Sequence, residues 1–472
     1  MEFFFTKDEK DLAHAIGKVA DDLNFETYVV GGFVRDRLIN RQSKDIDVVC
    51  VGDGIQLAQA VAEKLEIKQK VVVFKRFGTA MIKHHSIELE FVGARKESYS
   101  ADSRKPNVSP GSLDDDQKRR DFTINALAVC LNLERFGELV DPFEGMTDLK
   151  NGIIRTPLDP DKTFSDDPLR MMRAARFATQ LNYKITDETF AGIKRNAHRL
   201  KIISAERITD ELNKIILSKM PSIGFKYLSE AGLLNIFFPE FEKLRGVDII
   251  NDIAHKDNFY HTLKVLDNLC EVSDDLWHRW AAILHDIAKP PTKRFSETSG
   301  WTFHGHEVVG ARMVPKLFKR FKLPLDHKMK YVQKLVRLHL RPISLTNEDI
   351  TDSAMRRLLF DAGEDIDDLM MLCNADITSK NSNKVKRIKA NYEIVKQKLV
   401  EVEENDKIRN WQPPINGELI MSTFGIGPSR AVGTIKDQIR EAILDGIIPN
   451  QYEAAYDFMI EKGKELGMKV SS

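Results

Sequence analysis

The spacing of apolar residues divides the sequence into two parts that differ in predicted secondary structure. Up to about residue 155, short β-branched runs end at glycine-rich turns, as residues 28–30 do at Gly31 and Gly32. Further runs of this kind occupy residues 46–51, 71–74 and 87–92. Residues 55–65 carry a helical period between two of these runs. The pattern predicts an α+β domain over residues 1–155.

From about residue 160 the apolar period changes to three or four residues, which is typical of amphipathic helices. It is visible in residues 169–178, again in residues 208–216, and again in residues 355–359. The prolines Pro413 and Pro414 follow a charged stretch and indicate a joint before a last short helical unit. The remainder of the chain is therefore predicted to be all-α.

Composition narrows the class of protein. A chain of 472 residues is too long for one ordinary core, so two to four domains are expected. The sequence has no apolar run of the ~20 residues that a membrane span needs, and its four cysteines form no CxxC pair, which favours reduced thiols in a cytoplasmic protein. Lys+Arg and Asp+Glu both number 71, which excludes a globally basic nucleic-acid binder but leaves room for a local basic groove.

Two glycines and two aspartates form the first candidate site. Gly31 and Gly32 lie between a predicted strand and a predicted helix, where free backbone N–H groups favour an anion such as a triphosphate. Asp45 and Asp47 are two residues apart on the next predicted strand, so their side chains project from one face. Neighbouring carboxylates repel each other unless they share cations, and oxygen ligands suit Mg²⁺. We therefore predict that both aspartates are catalytic ligands of two Mg²⁺ ions.

A third carboxylate is expected from a neighbouring strand. Glu88 and Glu90 lie on one face of the apolar run at residues 87–92, and either could serve the site. We favour Glu90, which lies five residues before Arg95, as the third catalytic acid. An exposed acidic strand edge is the alternative interpretation of a single Asp-x-Asp pair, and the adjacent glycine turn argues against it.

More charged motifs follow the glycine turn in a fixed order. They comprise residues 119–126, Asp141 with residues 145–149, residues 167–177 and residues 204–208. Together with Gly31, Gly32, Asp45 and Asp47, these blocks resemble the signature of the class II tRNA nucleotidyltransferase and bacterial poly(A) polymerase family. The resemblance implies a polymerase-β-like nucleotidyltransferase head, followed by a helical neck, body and tail. It also implies a set of nucleotide-binding residues, namely Gly31, Gly32, Arg35, Arg120, Asp121, Asn125, Asp167, Arg170, Arg173 and Arg176.

The pair Asp167 and Arg170 also has a chemical reason to select a base. The two residues are three apart on a predicted helix and would share a face. A carboxylate only accepts hydrogen bonds and a guanidinium only donates them, which matches the amino group and ring nitrogen of cytosine and adenine. Uracil and guanine present the opposite pattern. The alternative interpretation is an intrahelical ion pair with no part in recognition.

Histidines and aspartates in the last half of the chain form the second candidate site. The residues are His261, His285, Asp286, His306, His339 and Asp376, spread over successive predicted helices. This order resembles the HD phosphohydrolase superfamily. Imidazole and carboxylate ligands together suit a transition metal such as Mn²⁺ or Ni²⁺ that can activate water. A structural role for each single histidine is the alternative.

The motifs predict four domains and a function. We expect a nucleotidyltransferase head at residues 1–155, a base- and RNA-binding neck at 156–250, an HD-type body at 251–400 and a helical tail at 401–472. The expected activity is the addition of C, C and A to the 3′ end of tRNA from CTP and ATP, with a possible second phosphohydrolase activity. The expected partners are tRNA and the two nucleotides, without a membrane.

Three alternatives stay open at this point. Poly(A) polymerase shares the head motifs, although the little excess charge of residues 463–472 favours CCA addition. Enzymes that add only A or only CC share them as well. A metal phosphohydrolase whose head merely binds RNA belongs to another class, and the intact Asp45, Asp47 and Arg120 argue against it.

Overall fold

The computed structural model describes residues 5–42, 45–67, 69–75, 78–85, 87–100, 103–345, 351–378, 382–406 and 413–471. The chain forms two compact units, Met1–Pro239 and Glu240–Ser472. The first unit combines a mixed sheet with helices and the second is mainly helical, which confirms the predicted fold class. The division into four domains stays a prediction. No helix in the described part of the chain is long and apolar enough to cross a membrane.

A seven-stranded sheet forms the core of the first unit. Its strands are β1 (Thr27–Val30), β2 (Asp45–Cys50), β3 (Val72–Phe74), β4 (Thr79–His84), β5 (Ile87–Gly93), β8 (Ala128–Cys130) and β9 (Leu139–Val140), and their order is β3-β4-β5-β2-β1-β8-β9. A separate hairpin pairs β6 (Arg95–Ser100) with β7 (Ser103–Pro110). The helices of this part are α1 (Lys7–Asp22), α2 (Gly32–Leu38), α3 (Gly54–Lys64), α4 (Leu113–Lys118) and α5 (Gly145–Asn151). The predicted β-branched runs are therefore strands, with ends that differ by one or two residues.

The register of the central strands places acidic side chains next to each other. Strand β2 runs parallel to β5, so Asp45 lies opposite Glu88 and Asp47 lies opposite Glu90. The residues between the two aspartates and after them, Ile46 and Val48, are buried in the core. The predicted alternation is therefore present: apolar residues enter the core while the carboxylates share the other face.

Helices complete the first unit. They are α6 (Pro160–Asp166), α7 (Leu169–Leu181), α8 (Asp187–Asn196), α9 (Ala205–Ile216), α10 (Ser222–Glu230) and α11 (Leu233–Phe237), followed by α12 (Pro239–Glu242) at the border of the units. The short strands β10 (Ile153–Ile154) and β11 (Lys184–Ile185) pair in parallel. Single 3₁₀ segments span Thr123–Asn125, Leu133–Arg135 and Ala197–Ile202. Helix α7 packs against α9 and α10 with its apolar stripe, including the buried Met172 and Ala175.

The second unit consists of helices and two short hairpins. Its helices are α13 (Asn258–Cys270), α14 (Leu276–Leu284), α15 (Lys289–Thr292), α16 (His306–Arg320), α17 (His327–Leu338), α18 (Arg341–Ser344), α19 (Asp352–Ala362), α20 (Ile366–Asp376), α21 (Ser382–Asp406), α22 (Gly417–Phe424), α23 (Arg430–Leu444) and α24 (Tyr452–Glu465), with a 3₁₀ segment at Gly363–Asp365. The hairpins pair β12 (Ile249–Ile250) with β13 (Ile253–Ala254), and β14 (Arg294–Ser296) with β15 (Gly300–Thr302). The helices α13, α16 and α20 carry His261, His306 and Asp376, while His285 and His339 directly follow α14 and α17.

Candidate active sites

An open cleft of about 960 Å³ in the first unit contains all the catalytic and nucleotide-binding residues predicted for the head and the neck. These residues are Gly31, Gly32, Arg35, Asp45, Asp47, Glu90, Arg120, Asp121, Asn125, Asp167, Arg170, Arg173 and Arg176, and Glu88 lines the same cleft. They come from strands, from helix ends and from the loop after α4. The fold therefore brings the two parts of the predicted site, the carboxylates and the arginines, into one space.

The carboxylates of the cleft repel one another. Burial raises the pKa of Asp47 above its ordinary value of 3.8, and the charge of Asp45 adds to this while Arg120 opposes it. Burial and the neighbouring Asp47 raise the pKa of Glu90 as well. Glu88 is instead half-exposed and lies 3.7 Å from the Nζ atom of Lys83. Burial and the neighbouring charge make the ionised form of these carboxylates unfavourable, and a bound divalent cation would restore it. The two carboxylates therefore fit a metal site.

Gly31 is required by the close approach of two side chains. Its φ is 75°, which lies in the left-handed region where side chains are strained. A Cβ atom at this position would lie 3.0 Å from Nη1 of Arg120 and 3.4 Å from Oδ2 of Asp47. The glycine thus lets the turn before α2 lie directly beside the Asp47 carboxylate and the Arg120 guanidinium group.

Asp116, which sequence reasoning missed, holds the two arginines of the cleft wall. Its side chain is fully buried, with one oxygen accepting a hydrogen bond from Arg119 Nε at 2.9 Å and the other from Arg120 Nη2 at 2.9 Å. Arg120 also donates to the carbonyl oxygen of Asn125 at 3.3 Å. Asp116 lies three and four residues before the two arginines, and residues at this spacing are neighbours on the surface of a helix. The sequence therefore contained the signal.

A buried hydrogen-bond network links α2, the 3₁₀ segment and α7. Arg35 donates to Oδ1 of Asn125 at 2.7 Å, and Asn125 donates to Oδ1 of Asp121 at 2.9 Å. The second oxygen of Asp121 accepts from Arg173 Nε at 2.6 Å. Burial alone would raise the pKa of Asp121, but Arg173 and Asn125 outweigh burial and lower this pKa to about 2. The network fixes four of the predicted nucleotide-binding side chains relative to one another.

Replacement of Asp121 by asparagine is expected to destabilise the protein in a pH-dependent manner. The native carboxyl has a pKa of about 2 against an ordinary 3.8, which corresponds to roughly 2 kcal/mol of stabilisation when the group is ionised. Because this pKa is depressed in the folded state, the stabilisation is complete above about pH 4 and is lost as the pH falls towards 2. Urea unfolding of wild type and Asp121→Asn from pH 7 down to pH 3 measures it. A difference between the two proteins that does not shrink on acidification would contradict the assignment.

The structure corrects the placement of Asp167. Asp167 does not lie on a helix with Arg170: it ends α6 with an extended backbone (φ −136°, ψ 100°), and Arg170 lies in the first turn of α7. The reason is Pro168, whose ring disfavours the helical conformation for the preceding residue. The two side chains have separate partners. Asp167 accepts from the backbone N–H of Leu169 at 3.1 Å, and Arg170 donates to the carbonyl oxygen of Arg119 at 2.6 Å.

An aromatic ring under three guanidinium groups was also missed. The ring centroid of Phe177 lies 4.9 Å from Cζ of Arg35, 5.3 Å from that of Arg173 and 4.2 Å from that of Arg176. Burial lowers the pKa of Arg176 to about 10, although the ion pair with Glu211 at 3.2 Å opposes this. The cleft wall on α9 adds further charged residues: Arg207, which belongs to the motif at residues 204–208, and Asp210, Glu211 and Lys214, which the sequence did not single out.

All six residues predicted for the second site come together in the second unit. Their closest pairs are His261 Nε2 with Asp376 Oδ1 at 2.9 Å, His285 Nε2 with Asp286 Oδ2 at 3.2 Å, His306 Nε2 with Asp286 Oδ1 at 3.3 Å, and His306 Nε2 with His339 Nε2 at 3.3 Å. Two groups of three could each hold an ion among the described residues, and they share Asp286. Helix ends thus bring together ligand atoms that are more than 100 residues apart in sequence.

The hydrogen bonds of three histidines aim their Nε2 atoms at the centre. Nδ1 of His285, His306 and His339 donates to a backbone carbonyl three residues earlier, at 2.7 Å, 2.7 Å and 2.8 Å. A proton on Nδ1 leaves the Nε2 lone pair free for a metal, and this second contact fixes the ring.

Two polar atoms of this centre indicate what would fit there. His285 Nε2 and Asp286 Oδ2 are buried and lack a hydrogen-bond partner. Asp286 Oδ2 has an ion pair with Lys289 Nζ at 2.7 Å. Although burial opposes it, His285 and Lys289 hold the pKa of Asp286 well below 3.8, so the carboxylate is charged. Imidazole nitrogens and charged oxygens without hydrogen-bond partners are the donor set of a transition-metal site.

Comparison with known proteins identifies related families. Three family models match the chain: the poly(A) polymerase head domain over residues 27–155, a probable RNA- and SrmB-binding site of polymerase A over residues 182–244, and the HD domain over residues 258–380. The A-adding tRNA nucleotidyltransferase of Deinococcus radiodurans is 31% identical over 356 residues, which cover 73% of this chain and 78% of that protein. The multifunctional CCA protein of Nitrosococcus oceani is 34% identical over 65% of this chain and 73% of that protein. The CCA-adding enzyme of Ligilactobacillus salivarius is 36% identical over 48% of this chain and 55% of that protein.

Solved structures share the fold over nearly the whole chain. The Bacillus stearothermophilus CCA-adding enzyme in complex with CTP has a TM-score of 0.66 at 23% identity, and the match covers 98% of this chain and 99% of that one. The Thermotoga maritima CCA-adding enzyme complexed with tRNA has a TM-score of 0.62 at 21% identity, covering 97% and 96%. The architecture of both units is therefore one that CCA-adding enzymes use.

Proposed function

Because the chain belongs to the family of tRNA nucleotidyltransferases and poly(A) polymerases, we propose that it adds C, C and A to the 3′ end of tRNA from CTP and ATP, with release of pyrophosphate. The observation that carries the proposal is the cleft of about 960 Å³ in the first unit. It holds Asp45, Asp47 and Glu90 together with the base-selecting candidates Asp167 and Arg170. We keep the four-domain division as part of this proposal, with the head at residues 1–155 and the neck at residues 156–250.

Each group of the cleft has a distinct task in this proposal. Asp45 and Asp47, with Glu90 beside Asp47, would hold two Mg²⁺ ions, which activate a 3′-hydroxyl and stabilise the leaving pyrophosphate when bound. Arg120, which Asp116 holds in place, presents a fixed positive charge beside Asp47 for the triphosphate.

Base choice rests on Asp167 and Arg170. Asp167 offers an acceptor and Arg170 offers donors, so together they match cytosine and adenine and leave uracil and guanine facing like groups. Asp167 and Arg170 are held by separate backbone partners, Leu169 N–H and the Arg119 carbonyl, which leaves further hydrogen-bonding capacity on both side chains. A site that demands one hydrogen-bond pattern can discriminate by about 10⁴–10⁵.

Alanine at Asp167 or Arg170 is expected to reduce incorporation of C and A and to relax the rejection of U and G. The cause is the loss of one half of a hydrogen-bonding pattern, which costs roughly 1–3 kcal/mol or 10- to 100-fold in kcat/KM for the correct base. Single-nucleotide incorporation with each of the four NTPs measures the ratio. Arg207→Ala is the matched control, because it removes a neighbouring cation that lies 4.0 Å from Asp167 without removing either member of the pair. Equal losses for all four bases in both variants would assign the pair a structural role.

The competing specificities within the family are separated by product length. A-adding and CCA-adding proteins both occur among the relatives, and poly(A) polymerase shares the head. The purified protein is incubated with Mg²⁺ and tRNA that ends at the discriminator base, at C or at CC, with CTP, ATP or both. Addition of CCA to the first substrate supports the proposal, whereas addition of A only to tRNA ending in CC, addition of CC alone, or a long A tail would replace it.

A second activity is favoured by the centre of the second unit. The six converging ligands, among them three histidines whose Nδ1 hydrogen bonds direct Nε2 at the centre, support a bound transition metal, for which Mn²⁺ and Ni²⁺ are the candidates. Such an ion supplies a nucleophilic hydroxide for phosphoester hydrolysis. We propose terminal or 2′,3′-cyclic phosphates at RNA ends as substrates, because either one blocks the 3′-hydroxyl that the head needs.

A further inference from the structure

A cleft of about 1160 Å³ in the second unit ends at one edge of the metal-ligand cluster. Of the six ligands, His261 and Asp376 are among the described residues that line it. The side chain of Asp376 is 14% exposed, more than that of any other ligand in the cluster. A substrate that reaches the metal centre through this cleft therefore arrives on the side of His261 and Asp376.

Lys256 lies at this end of the cleft and has neutral hydrogen-bond partners. Its Nζ atom donates to Thr378 Oγ1 at 2.7 Å and to the Thr378 carbonyl oxygen at 3.4 Å, and it lies 2.7 Å from His261 Nδ1. No carboxylate within ion-pair distance neutralises Lys256 in the described part of the chain, unlike Lys289, which pairs with Asp286. Thr378 Oγ1 also lies 2.9 Å from His261 Nδ1, so the imidazole keeps a partner when Lys256 turns to an anion. The ammonium group is thus available to a phosphate beside the metal ligands.

The remaining wall of the cleft is mostly apolar. Val247, Ile343 and Ile388 line it, and Tyr260 adds an aromatic ring that is 45% exposed. Aliphatic and aromatic side chains in a half-open cleft bind the flat faces of a nucleobase and sugar, as in most small-molecule sites. The cleft therefore combines a lysine next to the ligand cluster with a mostly apolar wall, to which His255, Asp257, Lys264 and Asn268 add polar groups.

We propose that this cleft is the substrate site of the second unit and binds a nucleoside phosphate, with the phosphate at Lys256 and the base against Val247, Ile343 and Ile388. The inference rests on the proposed phosphohydrolase and adds the residues that would select its substrate. A site for inorganic phosphate alone would not need the apolar wall. A site for a phosphorylated peptide would not need a surface that fits a nucleobase.

Binding to variants in both halves of the cleft tests this proposal. The parent protein is the full chain with Asp167→Ala and Arg170→Ala, which weaken nucleotide binding in the cleft of the first unit. Titration calorimetry without added divalent ions measures its affinity for adenosine 3′-monophosphate, adenosine and inorganic phosphate. Lys256→Met is expected to lower the affinity for the monophosphate by roughly 10- to 100-fold, because a charge-assisted hydrogen bond is lost. The affinity for adenosine should stay unchanged. Lys256→Arg should restore most of the affinity. Ile343→Asp should lower the affinity for the monophosphate and for adenosine but not the affinity for inorganic phosphate.

The controls separate this inference from the proposed activity. Lys319→Met removes a lysine that does not line the cleft and should bind like the parent, and unchanged metal content of Lys256→Met shows an intact centre. Unchanged monophosphate affinity in Lys256→Met, or no binding to the parent protein, overturns the inference. Inorganic phosphate bound as tightly as the monophosphate overturns its nucleoside part. Hydrolysis of bis(p-nitrophenyl) phosphate with Mn²⁺ or Ni²⁺ tests the phosphohydrolase itself. If no hydrolysis occurs while Lys256 is still needed for binding, the proposed activity is wrong and the proposed binding site is supported.

Discussion

Alanine at Asp47 is expected to reduce the rate of nucleotide addition by at least about 10³-fold while tRNA affinity is unchanged. The carboxylate lies at the point where β2 and β5 bring Asp47 beside Glu90 and where Arg120 reaches the same cleft. Its removal takes away a carboxylate that would hold the proposed Mg²⁺ ions, whose electrostatic stabilisation of the reacting phosphate would amount to several kcal/mol. Single-turnover incorporation of CMP and a filter-binding assay with tRNA measure the two quantities. Asp45→Ala should behave in the same way.

The two glutamates opposite these aspartates provide a matched pair of controls. Glu90 has a raised pKa because of burial and the charge of Asp47, as expected of a group at the proposed metal site. Glu88 is half-exposed and has an ion pair with Lys83. Glu90→Gln is therefore expected to lose most of the activity and Glu88→Gln to keep most of it. Near-normal turnover in Asp47→Ala would make the two-metal assignment wrong. Loss of nucleotide addition in Glu88→Gln but not in Glu90→Gln would make Glu88, rather than Glu90, the third acid.

The sequence predicted the carboxylate face correctly because a strand has a strict period of two. Asp45 and Asp47 had to share one side once Ile46 and Val48 were assigned to the core. The choice between Glu88 and Glu90 could not be made with the same rule, since both lie on one face of their strand. It depends on the parallel register of β2 and β5, which is set by the whole sheet and which no local pattern contains.

Asp167 and Arg170 show where the sequence predicted the place of two residues and missed the conformation of one of them. Asp167 and Arg170 both line the cleft, yet the spacing rule for helices placed them on one helix and overlooked Pro168. The rule for residues before proline would have ended the helix at Asp166, as the structure does. The contact of the Phe177 ring with Arg35 is a different case, because α2 and α7 meet only through tertiary packing, whereas Arg173 lies four residues before Phe177 on α7 itself.

The four histidines and two aspartates of the second site were predictable as a set, whereas their geometry was not. Their order suggested ligands on successive helices, and the helix ends bring all six together. The direction of each ring is decided by the backbone carbonyls of Ala282, Phe303 and Val336, which accept from Nδ1. Such carbonyls are present in every sequence, so only the folded chain reveals which nitrogen faces the centre.

Replacing His285 and Asp286 by alanine is expected to remove the bound transition metal and any phosphoester hydrolysis, while nucleotide addition continues at nearly the wild-type rate. Asp286 is shared by both candidate metal groups, so its loss leaves neither group with three ligands. Asp45 and Asp47 belong to the other compact unit and keep their own partners. Elemental analysis of the purified proteins, hydrolysis of a 2′,3′-cyclic nucleotide with Mn²⁺ or Ni²⁺, and CMP incorporation measure the three outcomes.

His278→Gln is the matched control for this double variant, because it changes another buried histidine on α14 outside the cluster. The Nε2 of His278 lies 2.9 Å from the carbonyl oxygen of Asp368 and its Nδ1 lies 3.1 Å from Ser273 Oγ, so it has a structural role only. Metal content should stay at the wild-type level in His278→Gln even where its melting temperature falls. Asp376→Asn, at the more exposed edge of the cluster, should lose hydrolysis with a smaller change in packing. Wild-type protein without a divalent ion, and without hydrolysis when Mn²⁺ or Ni²⁺ is added, would instead make the six residues a structural cluster in which Lys289 neutralises Asp286.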